Sequence, residues 1–203
     1  MTKLKREFYS RDTLLVAKEL LGKVLVHNTE GHLLKGKIVE TEAYLGLTDK
    51  AAHSYGGKIT KRVETMYGMP GTAYVYIIYG IYFCLNIITV KEGVPEGVLL
   101  RGIEPVENIE QMAKYRFNKE IEDLTNYQKK NISNGPGKLT MAMNIDKSLD
   151  KEDLCKNKLY IEDGQEAVFK IIETKRIGID YSKEAIHYPY RFYIENNHYV
   201  SKK

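Results

Sequence analysis

The sequence predicts an α+β fold built around a mainly antiparallel sheet, and three observations carry that prediction. Runs such as KIVETEAYL and AYVYIIYGIYFCLN are rich in β-branched and aromatic residues, and their side-chain character alternates every second position. Helical patterns are mixed among them without the regular spacing of βαβ units. Turn formers at Asn28 to Gly31 and at Gly80 sit where neighbouring strands would reverse. The 203 residues contain no internal repeat and no low-complexity linker, so one domain spanning residues 1–203 is expected.

The first helix is SRDTLLVAKELLGK. Ser10 or Asp12 can cap it, Leu14, Leu15, Ala17, Leu20 and Leu21 form its apolar stripe, and Gly22 ends it. KVLVHN and LLKGKIVETEAYL follow as strands. Residues Gly46 to Pro70 hold no sustained periodicity and read as a long functional loop, with a short helical piece near Arg62 to Tyr67. Two β-rich runs hinged at Gly80 come next, then the strand VLLRGIEP. Val106 to Lys130 is charged and helical, with a break near Asn118. Asn131 to Lys138 forms a loop leading into a helix, KLTMAMNI. In the tail, KLYIED, AVFKIIETKRIGI and YRFYIEN are strand-like.

Charged residues make up 29% and hydrophobic residues 43%, ordinary proportions for a globular protein. A net charge of +4 permits a polyanionic partner without requiring one. Cys84 and Cys155 offer neither metal spacing nor a disulfide framework, which fits a reduced, cytoplasmic chain. The polar start, MTKLKREFYSRDT, lacks the apolar core of a signal peptide. Thr72 to Val90 has nearly the length of a membrane span. Its four tyrosines, Asn86 and central Gly80 instead fit two buried strands.

Strand alternation puts Glu40, Glu42 and Tyr44 on one face of KIVETEAYL. Acidic residues in a row are ordinarily the wet face of a strand, and periodicity does not choose between Glu40 and Glu42. Two neighbours point to chemistry instead: Tyr44 two residues on, and His53 just before the loop SYGGKITKR. That loop has glycines that let backbone approach a ligand, and Lys58, Lys61 and Arg62 to meet phosphates. In the hairpin, Tyr74 and Tyr76 share a face; Tyr74 and Tyr82 fit half-buried packing. Tyr79 lies at the reversal beside Gly80, where an aromatic projects outward as a wedge. Such wedges enter duplex DNA and fill the gap left by an extruded nucleotide.

IVETEAYLG with its following DKAAHS, PGTAYVYIIYGIYFCLN, VLLRGIEP, NGPGKL and RFYIEN together resemble the alkyladenine DNA glycosylase family, also called 3-methyladenine or methylpurine DNA glycosylases. The similarity covers nearly the whole chain. It implies a curved antiparallel sheet with surrounding helices and a protruding hairpin. It also implies excision of alkylated or deaminated purines (3-methyladenine, 7-methylguanine, hypoxanthine, ethenoadenine) from double-stranded DNA. The enzyme would be monofunctional and monomeric, with no metal or organic cofactor, no membrane and no lyase step; in a bacterium it would be nucleoid-associated.

Residue by residue, the resemblance makes Glu42 the carboxylate that activates water, with Arg101 helping to place that water. Tyr44, His53 and Tyr76 would enclose the flipped base, and Asn86 would crowd the amino group of guanine. Tyr79 would intercalate, flanked at the minor groove by Ile81 and Tyr82. Lys58, Thr60, Arg62 and Lys138 would meet DNA. Two positions depart from the pattern: Tyr55 stands where Arg is common, and Gly137 where Ser is frequent.

Three other readings compete. A non-catalytic nucleic-acid-binding module would use the same stacking tyrosines but leave Glu42 without a task. A nucleoside hydrolase has no use for Tyr79 or Lys138. A helix–hairpin–helix glycosylase shares only the Gly-rich approach to NGPGKL and would be almost entirely helical.

Overall fold

The fold, described over residues 2–164 and 167–202, comes from a computed structural model. Eight strands form one antiparallel sheet: β1 (Val24–Thr29), β2 (His32–Tyr44), β3 (Ala73–Ile78), β4 (Tyr82–Ile88), β5 (Gly97–Glu107), β6 (Leu159–Glu162), β7 (Ile171–Thr174) and β8 (Arg191–Ile194). Their order is β3-β4-β5-β2-β1-β6. The long β2 is the spine. One edge pairs with β5; the other pairs with β1 over residues 32–37 and with β8 over residues 40–42. The helices are α1 (Arg6–Tyr9), α2 (Thr13–Glu19), α3 (Ile109–Phe117), α4 (Asn126–Lys130) and α5 (Pro136–Ala142). The α+β, mainly antiparallel expectation holds.

Period-two patterning divides the central strands cleanly between two environments. Val39 and Ala43 of β2, Ala73 and Val75 of β3, Leu85 and Ile87 of β4, and Val98 and Leu100 of β5 enter the main core with α2, α3 and α5. The opposite face carries Glu42 and Tyr44, Tyr74 and Tyr76, Cys84 and Asn86, Leu99 and Arg101. Tyr74, Tyr76, Cys84, Ile88 and Leu99 build a second apolar cluster with Val63 and Met66 from the long loop. One face of the sheet therefore holds the fold together, and the other is free to form a site.

Several local expectations shift. Asp12 caps α2, accepting from the Leu15 amide, but the separate turn α1 precedes it, and Leu15 points to solvent. α5 begins at Pro136, two residues earlier than the periodicity suggests, because Pro suits the first helical position. In the tail, β7 ends at Thr174, so KRIGI leaves the sheet as a loop. Thr72–Val90 resolves as β3 and β4, and among the described residues no helix is long and apolar enough to cross a membrane. Asn118, in the left-handed region at φ 52°, ends α3 where the break was expected.

The β3–β4 hairpin is held along its outer edge, which matters because an unpaired edge would be soft. Asp150 accepts from the Val75 amide at 3.0 Å, Lys147 Nζ donates to the Val75 carbonyl at 3.0 Å, and the Lys151 amide donates to the Ala73 carbonyl. At the tip, Tyr79 (φ 52°) and Gly80 (φ 74°) both have positive φ, as a tight reversal between right-twisted strands requires. Glycine adopts that conformation freely; tyrosine does so at a cost of roughly 1–2 kcal/mol.

Candidate active site

A cavity of 490 Å³ opens on the polar face of the sheet, between the hairpin, the 46–70 loop and the tail loop at 177–181. That volume falls within the ~300–1,000 Å³ of typical small-molecule pockets. Tyr44, His53, Tyr76, Asn86 and Arg101 line it, with Arg62 and Tyr79 at the hairpin side. These seven expected residues come from β2, β3, β4, β5, the long loop and the hairpin tip, brought together by the sheet's register.

Glu42 lies behind the wall of this cavity, fully buried, and two hydrogen-bond donors and an ion pair fix its carboxylate. The Tyr44 hydroxyl donates to Oε2 at 2.8 Å, the Ile177 amide donates to Oε1 at 2.8 Å, and an Arg101 guanidinium nitrogen stands 3.3 Å from Oε1. Burial, and then the nearby Glu42 charge, push the Tyr44 phenol well above its usual range, so its hydroxyl stays a donor at neutral pH. Oε2, with one named donor, retains a lone pair for a further hydrogen bond.

Glu40 is equally buried, which rules out the wet-face reading for both acids, yet its partners differ. It accepts from Arg191 Nε at 2.6 Å, Arg101 Nε at 3.3 Å, the Ser201 amide at 2.7 Å and the Ser201 hydroxyl at 2.9 Å. These ties run to the sheet and the C-terminal segment; Arg191 and Ser201 lie away from the cavity lining, and Arg101 belongs to it. Arg101 joins the two acids because it bulges. Glu40 pairs with Gly102 and Thr41 with Leu100, which leaves Arg101 without a direct partner on β2 and aims its guanidinium at both carboxylates. Gly102 is required beside it: a Cβ there would lie 2.6 Å from the Tyr199 carbonyl oxygen.

The aromatic wall is built by contact. Tyr74 and Tyr76 stack at 4.9 Å with 27° between planes, and His53 meets Tyr76 edge-on at 4.7 Å. His53 Nδ1 sits 3.0 Å from the Tyr74 hydroxyl. Burial and then Arg62 hold the His53 imidazole down to about 4, so it is neutral at physiological pH. Tyr74 is buried packing, as expected, and it anchors the two rings that face the cavity. Asn86 is buried, and its Oδ1 has no hydrogen-bond partner among the described residues.

Around the mouth, Tyr79 is 87% exposed and Ile81 68% exposed, a pair of apolar side chains standing out in water. Tyr82 is more exposed than the half-buried packing expected from alternation, and it lies against the N-terminal turn of α5. A Cβ at Gly137 would lie 3.0 Å from Tyr82 Cβ, which accounts for glycine at that position. Lys58, Thr60 and Arg62 are exposed along the loop, and Arg62 also lies over the Tyr76 ring at 5.7 Å. Lys138 is less free than the sequence implies. Its ammonium donates to Asn131 Oδ1 at 2.6 Å and Asn134 Oδ1 at 2.9 Å.

Sequence reasoning missed the tail loop. Ile177, Gly178, Ile179 and Tyr181 line the cavity, and Arg176 with Asp49 forms a buried ion pair beneath them. Ile177 acts through its main-chain amide, which every non-proline residue has, so no side-chain signal marks it.

The methylpurine-DNA glycosylase (MPG) family profile matches residues 7–198. A protein of Clostridium botulinum (strain Loch Maree / Type A3) named "Putative 3-methyladenine DNA glycosylase" is 58% identical over 202 residues, covering 99% of this chain and all of that one. A relative of the same name from Clostridium tetani (strain Massachusetts / E88) is 57% identical over the same spans. The chain belongs to the methylpurine-DNA glycosylase family.

Proposed function

We propose that this protein excises alkylated or deaminated purines from duplex DNA by hydrolysing the N-glycosidic bond, with Glu42 as the base that activates water. The observation that carries this reading is a buried carboxylate, fixed by two hydrogen bonds and an ion pair, directly behind a ring-lined cavity. A module that only binds nucleic acid has no use for a buried acid held in one orientation toward its ligand pocket.

Bond cleavage builds oxocarbenium-like charge on the deoxyribose as the base departs. Glu42 would take a proton from the attacking water and stabilise that positive charge, while Arg101 limits where the water sits. General-base assistance of this kind supplies about 10²–10⁴-fold. A purine methylated at N3 or N7 is already cationic and leaves readily. A neutral base such as hypoxanthine first needs a proton or hydrogen bond at N7.

Tyr44 and Tyr76 would hold the flipped base by stacking, at roughly 1–3 kcal/mol per base, with neutral His53 against its edge. Asn86 lines the cavity, and its unpartnered Oδ1 would suit discrimination among purine edges. Tyr79 is suited to fill the stack the nucleotide vacates, and Lys58, Thr60 and Arg62 to contact phosphates.

The direct test uses the purified chain on duplexes carrying one defined lesion each, with free base quantified. Release of hypoxanthine or 3-methyladenine, leaving an abasic site and no strand break, is expected. Tight binding to lesion duplexes without base release would reject catalysis.

A further inference from the structure

We propose that Arg176 and Asp49 form a positioning pair for Glu42, acting from beneath the tail loop; this rests on the Glu42 reading above. Both side chains are essentially inaccessible, and the guanidinium forks onto the carboxylate, with one arm donating to Asp49 Oδ1 at 2.8 Å and the other to Oδ2. The arm that meets Oδ2 also donates to the Ala43 carbonyl at 2.9 Å, one residue from Glu42. The guanidinium further lies 4.7 Å from the centre of the Tyr44 ring.

These contacts converge on the two side chains that define the reacting end of the cavity. Ile177, which follows Arg176 directly, donates its amide to Glu42 Oε1. Arg176 therefore sets where that amide sits, and its planar face backs the ring whose hydroxyl holds Glu42 Oε2. Asp49 in turn is tied into its own turn by the Leu45 and Ala51 amides, at 3.1 and 3.0 Å. The two partners are 127 residues apart in sequence, so the pair pins the tail loop to the end of β2.

A buried ion pair is weak evidence for stability, because desolvation offsets most of its attraction. A fixed fork that determines two of the three contacts on one carboxylate is better explained by geometry. Displacing a reacting group by about 1 Å can cost ~10²-fold in rate, and loss of a residue that orients a functional group typically costs ~10–100-fold.

The experiment measures single-turnover excision of hypoxanthine and of 7-methylguanine by Arg176→Lys and Asp49→Asn, each in the parent and in a Glu42→Gln background. Lysine keeps the charge but cannot make the fork. In the parent background the rate constant is expected to fall about 10–100-fold, with affinity for an uncleavable abasic duplex unchanged within threefold. In the Glu42→Gln background the same substitutions should change the residual rate less than threefold, because they act through Glu42.

Where a variant folds poorly, the reaction amplitude falls with the folded fraction while the rate constant still reports positioning. A lowered amplitude with a parental rate constant, or equal losses in both backgrounds, overturns the proposal. If Glu42→Gln alone leaves the rate intact, the base assignment fails instead, and the two failures are distinguishable.

Discussion

Two glutamates two residues apart, both fully buried and both touching Arg101, should respond to the same substitution in opposite ways. Consider Glu42→Gln. Its amide oxygen can occupy the Oε1 position, where the Ile177 amide donates and the Arg101 guanidinium lies close. Its NH₂ then meets the Tyr44 hydroxyl, which can turn to accept. Arg101 keeps Glu40 as a partner. The fold should tolerate this change, while the lost base costs about 10²–10⁴ in rate, or roughly 3–5 kcal/mol of barrier at 1.36 kcal/mol per tenfold. Glu40→Gln has no such arrangement. Donors approach both oxygens, Arg191, Arg101 and the Ser201 hydroxyl on Oε1 and the Ser201 amide on Oε2, so either orientation opposes NH₂ to a donor. Breaking a buried charge pair costs ~3–5 kcal/mol, and at roughly 2–4 °C per kcal/mol a chain of this size should lose about 10 °C in Tm. Thermal unfolding paired with single-turnover excision of hypoxanthine reads both effects. A Glu42→Gln protein within threefold of the parent rate, or a Glu40→Gln protein with parental Tm and lost chemistry, would refute the assignment of roles.

Tyr79→Ala should leave unfolding within about 0.5 kcal/mol of the parent, since the ring is exposed. It should nonetheless slow excision from duplex DNA at least tenfold while changing cleavage of a free methylated nucleoside less than twofold; equal losses on both would remove the wedge role. Gly137→Ser should cost about 1–3 kcal/mol by pressing on Tyr82, and the loss should vanish in a Tyr82→Gly background, which removes the Cβ it presses on, as denaturant unfolding of the double mutant will report. His53 is held neutral down to about 4 against an unfolded value near 6.5. Its contribution to stability is present above pH 6.5 and is lost as pH falls toward 4, because the unfolded chain takes up a proton the native state refuses. Roughly 2 kcal/mol should disappear between pH 7 and pH 5, and His53→Gln should flatten that slope; an unchanged slope would mean His53 is not the group responsible.

Much of this site was legible because β-strands repeat every two residues. That period alone put Glu42 with Tyr44 and Tyr74 with Tyr76, and Gly80 marked the reversal that exposes Tyr79. The same period could not separate Glu40 from Glu42, which share a face by construction. Only their partners distinguish them, and those partners, Ser201 and Ile177, lie more than 130 residues away. The tail loop was misread for a related reason. KRIGI has the β-branched character of a strand, and the contact that matters is a backbone amide. Lys138 looked available because a ring of amide oxygens around an ammonium leaves no mark on local sequence.

The charges behind the cavity explain why so polar a face can be buried at all. Glu40, Glu42 and Asp49 are three carboxylates and Arg101, Arg176 and Arg191 three guanidiniums; Arg191, Glu40, Arg101 and Glu42 form one run of alternating sign, and Arg176 with Asp49 forms a separate pair. Glu40 and Arg191 meet the sheet and the C-terminal segment, while Arg176 joins the tail to Asp49 in the long loop. Glu42 contacts two residues of the cavity wall, Tyr44 and Arg101. Pairing each buried carboxylate with a guanidinium offsets a desolvation cost that an unpaired buried charge could not bear. That arrangement predicts which additions the site will resist. An acidic side chain introduced at Leu99, which lines the cavity beside Arg101, would compete for the guanidinium that Glu40 and Glu42 share. Leu99→Glu should therefore lower excision by the same mechanism as loss of Arg101, whereas Leu99→Met, equal in volume and uncharged, should retain activity within a fewfold. Equal losses for Met and Glu would show that shape at this wall, and not the balance of charge, sets the rate.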